Sequence, residues 1–308
     1  MRFNPKARLD TSRVRDRGRA SGGGGGGFGT GGSSIPIPGG LRAGGGIGGV
    51  ILVVLFIVVT QCMGGGSSGG AFDTSRMADT NRYENCKTGQ DANDNPDCAR
   101  VAVENSLYDF WSHELGGKFA PEQGVVTFGN ATDTGCGQAT SDVGPFYCPT
   151  DQTIYLDTTF FEAVLQGQLA GPSGAFVEPY VLAHEYGHHI QNLLGTMSRV
   201  KTQQGPQSDS VRLELEADCY AGMWAKAATT TEDADGNVLF SEISDADIKN
   251  AIEAATAVGD DRIQQQSGGR VNPEQWTHGS SAERVKWFRT GFTTGSLKAC
   301  DTFATDNL

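Results

Sequence analysis

From Gly44 to Met63 the chain runs for twenty residues without a charged side chain, as GGGIGGVILVVLFIVVTQCM. A helix of that length crosses roughly 30 Å of hydrocarbon. Its strongly apolar centre lies between Val50 and Val59. The tract before it speaks against a buried core helix. That tract is dominated by glycine, unbroken from Gly22 to Gly27, and such sequence loses much entropy on ordering while burying little. A cleaved signal peptide needs a shorter charged region and a small-x-small site. Gln61-Cys62-Met63 offers no such site, although Cys62 leaves a lipoprotein-like alternative open. The expected division is a disordered basic Gly-rich arm over 1–43, a transmembrane helix over 44–63, a Gly/Ser linker over 64–71 and one folded domain over 72–308.

Charge is divided along the same lines. The first 43 residues carry eight Lys/Arg against two acids, and the remainder sixteen against thirty-four. Basic residues before an apolar span stay in the cytoplasm. The expectation is therefore a single-pass cell-membrane protein with a cytoplasmic N-terminus and an extracytoplasmic domain. A folded part this acidic argues against nucleic acid as a partner. Of seven cysteines, Cys62 is the odd one. The other six allow fifteen pairings; proximity and elimination favour Cys86–Cys98, Cys136–Cys148 and Cys219–Cys300. Disulfides suit an extracytoplasmic domain, and without a CxxC pair a thiolate zinc site is not expected.

Helical spacing of Val103, Leu107, Phe110 and Trp111 predicts a helix over 99–115, ended by Gly116-Gly117. Residues 125–128 and 153–156 read as strands. A long helix is expected over 176–194, closed by Gly195, with Pro179 in its first turn. A second spans 210–228 with Asp209 or Ser210 as its cap, a third runs from Ser244 to about Gln265 behind a capping box with Asp247, and a fourth covers 281–292. Asp91–Asn95 and Asp233–Asn237 read as turns. The fold class is α+β, a small sheet beside a helical bundle.

The chemistry concentrates in His184-Glu185-Tyr186-Gly187-His188. Two histidines four apart on a helix project from one face, a spacing that suits zinc–imidazole bonds of about 2.0–2.1 Å. Glu185 lies about 100° round the helix, placed to act on metal-activated water as a general base. Apolar neighbours bury this helix, and buried histidines need partners. The next helix offers Glu214 and Asp218, again four apart on one face. Glu214 is then the third ligand, and Asp218 accepts the spare N–H of a ligating histidine, expected to be His184. Glu216, on another face, is the alternative ligand. His278 is a candidate to stabilise the oxyanion, against a packing or capping role; Arg284 and Tyr180 are weaker candidates for that task. His189 is read as structural, and His113 as a surface histidine.

Four blocks of this chain and a closing cysteine resemble the bacterial neutral zinc metallopeptidases that carry one N-terminal membrane span. They are residues 135–157, 180–195, 211–225 and 257–292, with Cys300 closing the series. The resemblance implies a zincin-like metalloprotease domain, with one Zn²⁺ per chain, Glu214 as ligand and Asp218 as its helper. The Gly-rich arm and the acidic stretch 229–242 depart from the pattern.

The expected activity is endopeptidase hydrolysis of a peptide or protein substrate, with Glu185 and His278 as the catalytic pair and the membrane engaged through the N-terminal helix. Two alternatives stand beside it. One is a non-catalytic envelope protein with a structural metal, against which the presence of Glu185 counts. The other is a hydrolase of a non-protein amide such as a cell-wall bond.

Overall fold

The computed structural model describes residues 1–22, 72–74, 77–267 and 270–308. Ten strands occur among them: β1 (Arg2–Phe3), β2 (Val14–Arg19), β3 (Ser21–Gly22), β4 (Phe72–Asp73), β5 (Gly124–Gly129), β6 (Ala131–Thr134), β7 (Gly137–Thr140), β8 (Phe146–Cys148), β9 (Thr153–Asp157) and β10 (Phe240–Glu242). The helices are α1 (Gly89–Asp94), α2 (Pro96–Leu115), α3 (Val177–Leu194), α4 (Asp209–Ala227), α5 (Asp245–Ala257), α6 (Asp260–Gln266) and α7 (Ser281–Thr294). This is a mixed α+β architecture with small sheets.

The main sheet has the order β2–β5–β9–β8. Its first three strands are parallel, and β8 runs antiparallel along the edge. Side chains alternate between its faces. Val14, Val125, Ile154 and Tyr147 form one cross-strand row, packed into the helical core. Val126, Tyr155 and Phe146 form the next row and face a smaller cluster with Phe128, Cys136, Ala139, Val143 and Cys148. That cluster lies under the β6–β7 hairpin, which the Cys136–Cys148 disulfide ties to β8. Cys86–Cys98 and Cys219–Cys300 are bonded as well, with Cα separations of 5.0 and 5.6 Å. All three pairs are those expected by proximity and elimination.

Glycines set how closely the helices approach. A Cβ on Gly187 of α3 would meet the Ala217 backbone of α4 at 3.1 Å. A Cβ on Gly291 of α7 would collide with the Cys219 carbonyl, and one on Gly222 of α4 with the Phe288 carbonyl. The α3–α4–α7 stack is therefore in near-backbone contact, which lets short side chains bridge it.

The structure corrects several expectations. Residues 1–22 are not a disordered arm. Phe3, Ala7, Val14 and Ala20 are buried, β2 forms one edge of the main sheet, and Arg13 Nε donates to the buried Glu104 at 2.7 Å. All but one of the arm's glycines lie after these residues, so averaging over 1–43 hid an ordered start. Within the acidic stretch 229–242, Phe240 is buried and β10 pairs with β1. The helix expected over 244–265 is two helices, broken at Val258-Gly259, where a Cβ on Gly259 would strike Ser281. Asp91 is part of α1 and completes a capping box with Thr88, so 91–95 is not a simple turn. Asp233–Asn237 is a turn, with Asp233 Oδ1 accepting from the Asp235 and Asn237 N–H groups. The span expected over 44–63 and the linker over 64–71 lie outside the described residues. Among those described, no helix is long and apolar enough to cross a membrane.

Candidate active site

Helix α3 carries the histidine motif and ends at Gly195 in the left-handed conformation, φ 79°. Helix α4 starts from Ser208, whose side chain caps the Val211 N–H, one residue before the expected cap. Their close crossing brings Glu214 to both histidines. His184 Nε2 lies 3.2 Å from Glu214 Oε2, and His188 Nε2 lies 3.5 Å from Glu214 Oε1. One ligand atom from each of the three residues falls within 4.8 Å of the others. Three donors about 2.0–2.1 Å from one tetrahedral centre stand about 3.3 Å apart, so this buried N,N,O set fits zinc in both spacing and chemistry. Glu216, the alternative ligand, lies elsewhere: its Oε2 accepts from Gln191 at 3.0 Å.

The charges of the set are tuned by burial and by each other. Burial alone would lower His184, but Asp218 and Glu214 raise it to about 10. Burial pushes His188 down to about 4 against the pull of Glu214. Glu214 is held well below the usual carboxylate range, its burial outweighed by His188, His278 and His184. Burial raises Glu185 to about 7, opposed by His184 and by the Tyr147 backbone N–H facing its carboxylate.

Each histidine of the set has a further partner. Asp218 Oδ1 accepts from His184 Nδ1 at 2.9 Å and from the Tyr180 hydroxyl at 2.5 Å. Arg284 of α7 grips Asp218 with two bonds, 2.7 Å from Nε and 3.0 Å from Nη2. Tyr180 and Arg284, weighed as oxyanion donors, are thus engaged in holding Asp218. His188 Nδ1 bonds to Gln191 Oε1 at 2.8 Å, and Gln191 Nε2 donates to the Leu213 carbonyl at 2.6 Å. Sequence reasoning missed Gln191, although its place three residues after His188, on the same helix face, was available as a signal.

A cavity of about 120 Å³ opens beside these groups. Glu185, His278, Tyr147 and Phe146 border it, and Val143, Phe160, Val181, Met197 and Val258 make its wall apolar. His278 is held by Asp260, the first residue of α6. Asp260 Oδ2 accepts the backbone N–H groups of Thr277, His278 and Gly279 at 2.7, 2.7 and 3.0 Å. His278 Nδ1 lies 2.8 Å from Thr277 Oγ1 and 3.4 Å from Asp260 Oδ1. No side-chain distance in the sequence pointed to Asp260, because the pairing spans two helix starts brought together by the break at Gly259. His189 is buried and bonds to the Ala120 carbonyl and the Tyr147 hydroxyl. His113 is exposed.

A family model described as "Putative neutral zinc metallopeptidase" matches residues 1–303. Among similar proteins is the uncharacterized protein Rv2575 of Mycobacterium tuberculosis, 51% identical over 225 residues, covering 72% of this chain and 76% of that protein. The uncharacterized protein YpfJ of Escherichia coli K12 is 40% identical over 203 residues, covering 63% of this chain and 67% of that protein. No solved structure matches.

Proposed function

Because this chain belongs to the family of neutral zinc metallopeptidases whose model spans residues 1–303, we propose that it is a zinc-dependent endopeptidase of the zincin type. The observation that carries the reading is the meeting of His184, His188 and Glu214 beside Glu185 at an apolar cavity. His184, His188 and Glu214 would hold one Zn²⁺ per chain, which when bound supplies Lewis-acid activation of water and carbonyl. Glu185 takes the proton of the attacking water and delivers it to the leaving amine. His278, its Nδ1 engaged by Thr277 and Asp260, offers its other nitrogen to the oxyanion. The outer edge of β8, unpaired among the described residues, supports binding of an extended peptide by strand addition, and the apolar cavity wall favours an apolar side chain next to the cleaved bond.

Three disulfides support residence in an oxidising compartment outside the cytoplasm. Residues 1–22 share sheet pairing and core with the rest of the chain. That sharing supports the proposal that they lie in the same compartment; charge alone suggests a cytoplasmic N-terminus. Digestion of a peptide library by the purified zinc-loaded protein, compared with Glu185→Gln, tests the activity. Cleavage by the parent alone is expected; equal action by both proteins, or by neither, contradicts it.

A further inference from the structure

We propose that His189, Tyr147 and Asn192 form a positioning clamp that fixes the edge strand β8 against the helix bearing the histidine motif. The inference rests on the peptidase reading, since its consequence is where a substrate strand lies relative to Glu185.

The hydrogen bonds assign their own direction. His189 Nε2 lies 2.8 Å from the Ala120 carbonyl, which only accepts, so Nε2 carries the ring proton in the neutral imidazole. Nδ1 is then a lone pair, and the Tyr147 hydroxyl 3.1 Å away donates to it. The Tyr147 oxygen in turn accepts from Asn192 Nδ2 at 3.0 Å. His189 and Asn192 are three apart on α3 and share a face. Both ring nitrogens of His189 and the Tyr147 hydroxyl have partners, and His189 is fully buried.

The clamp acts where position matters. Tyr147 is the middle residue of β8, the edge strand of the main sheet. Its ring packs edge-on to His189 with centroids 5.5 Å apart. Tyr147 and Glu185 border the same cavity. The same side chain that locks β8 onto α3 therefore sets the spacing between the strand that would seat a peptide and the base that acts on it. Misplacing reacting groups by about 1 Å costs on the order of 100-fold in rate. The other end of β8 is fixed by the Cys136–Cys148 disulfide, so the Tyr147 hydroxyl bonds are its anchor on the catalytic side. These residues are positioning residues; none is required to bind metal.

Tyr147→Phe deletes the hydroxyl and keeps the ring. His189→Phe is the second variant. The full-length protein is measured for zinc content, thermal midpoint, amide hydrogen exchange across 146–148, and kcat and KM on a cleaved peptide. The expected result for Tyr147→Phe is retained zinc, exchange at β8 faster by about tenfold, and kcat lower by about tenfold or more with KM within about twofold. The double variant should be no worse than the poorer single one. Unchanged exchange at β8 overturns the clamp, as does faster exchange spread evenly over the whole chain. Loosened β8 with unchanged kcat overturns its positioning role. If the parent cleaves no peptide, the peptidase reading fails separately, and β8 exchange alone decides the clamp.

Discussion

Gly187 of the histidine motif faces Ala217 so closely that a Cβ on it would lie 3.1 Å from both the Ala217 Cα and carbonyl oxygen. This contact sets the distance over which Glu214 reaches the histidines. Gly187→Ala must push α3 from α4, and overpacking of this kind costs about 1–3 kcal/mol. Zinc titration should show affinity lower by about tenfold or more, with the histidines and Glu214 all still present. Affinity equal to the parent's would show that the crossing does not set the ligand geometry.

Arg284 is the counter-ion of the fully buried Asp218. Arg284→Met leaves that carboxylate beside His184 without its cation, a loss expected to cost about 3–5 kcal/mol. Urea unfolding of the metal-free protein measures it. A change under about 1 kcal/mol would mean that Tyr180 and His184 suffice to hold Asp218.

Glu216 gives a pH signature away from the chemistry. Burial raises its carboxyl to about 7, above the ordinary 4.5. Between those values the folded state keeps a proton that the unfolded state has released, so this group's contribution to stability falls as pH rises from about 4.5 to 7. Glu216→Gln keeps an acceptor for Gln191 and removes the penalty. Its stability relative to the parent should rise between pH 5 and pH 8, by about 1–3 kcal/mol, with zinc retained. A relative stability independent of pH would contradict the assignment.

His278→Ala should lower kcat about 100- to 1,000-fold while leaving zinc bound, as expected for loss of an oxyanion donor. Asp260→Asn keeps an acceptor for the three loop amides and should cost less. Peptide kinetics with metal analysis separates these outcomes; loss of zinc in His278→Ala would mean that the residue supports the ligands instead.

Much of the site was legible because it is local. The four-residue spacings of His184 with His188 and of Glu214 with Asp218 fix helix faces, and a helix needs no tertiary information to do so. The cysteine pairs were legible by proximity, since two of them close short loops. What was hidden depends on contacts between distant segments. Arg13 meets Glu104, β1 meets β10, and Asp260 meets the loop before α7. Nothing in local composition announces such pairings. Averaging over residues 1–43 obscured a folded start, because a few apolar residues spaced along β1 and β2 precede a glycine tract long enough to dominate the count. The break between α5 and α6 was hidden for a related reason: Gly259 is placed there by the close approach of Ser281.

Glu185 is proposed to act on substrate while Glu214 holds the metal, and matched variants separate the two roles most directly. Zinc content and peptide hydrolysis are measured together for the parent, Glu185→Gln and Glu214→Gln. Glu185→Gln should keep about one zinc per chain and lose hydrolysis by about 100- to 10,000-fold or more, because an amide cannot take the proton of water. Glu214→Gln should lose zinc, because a neutral oxygen replaces an anionic ligand. Hydrolysis by Glu185→Gln at the parent rate, or full zinc retention by Glu214→Gln, would contradict these roles.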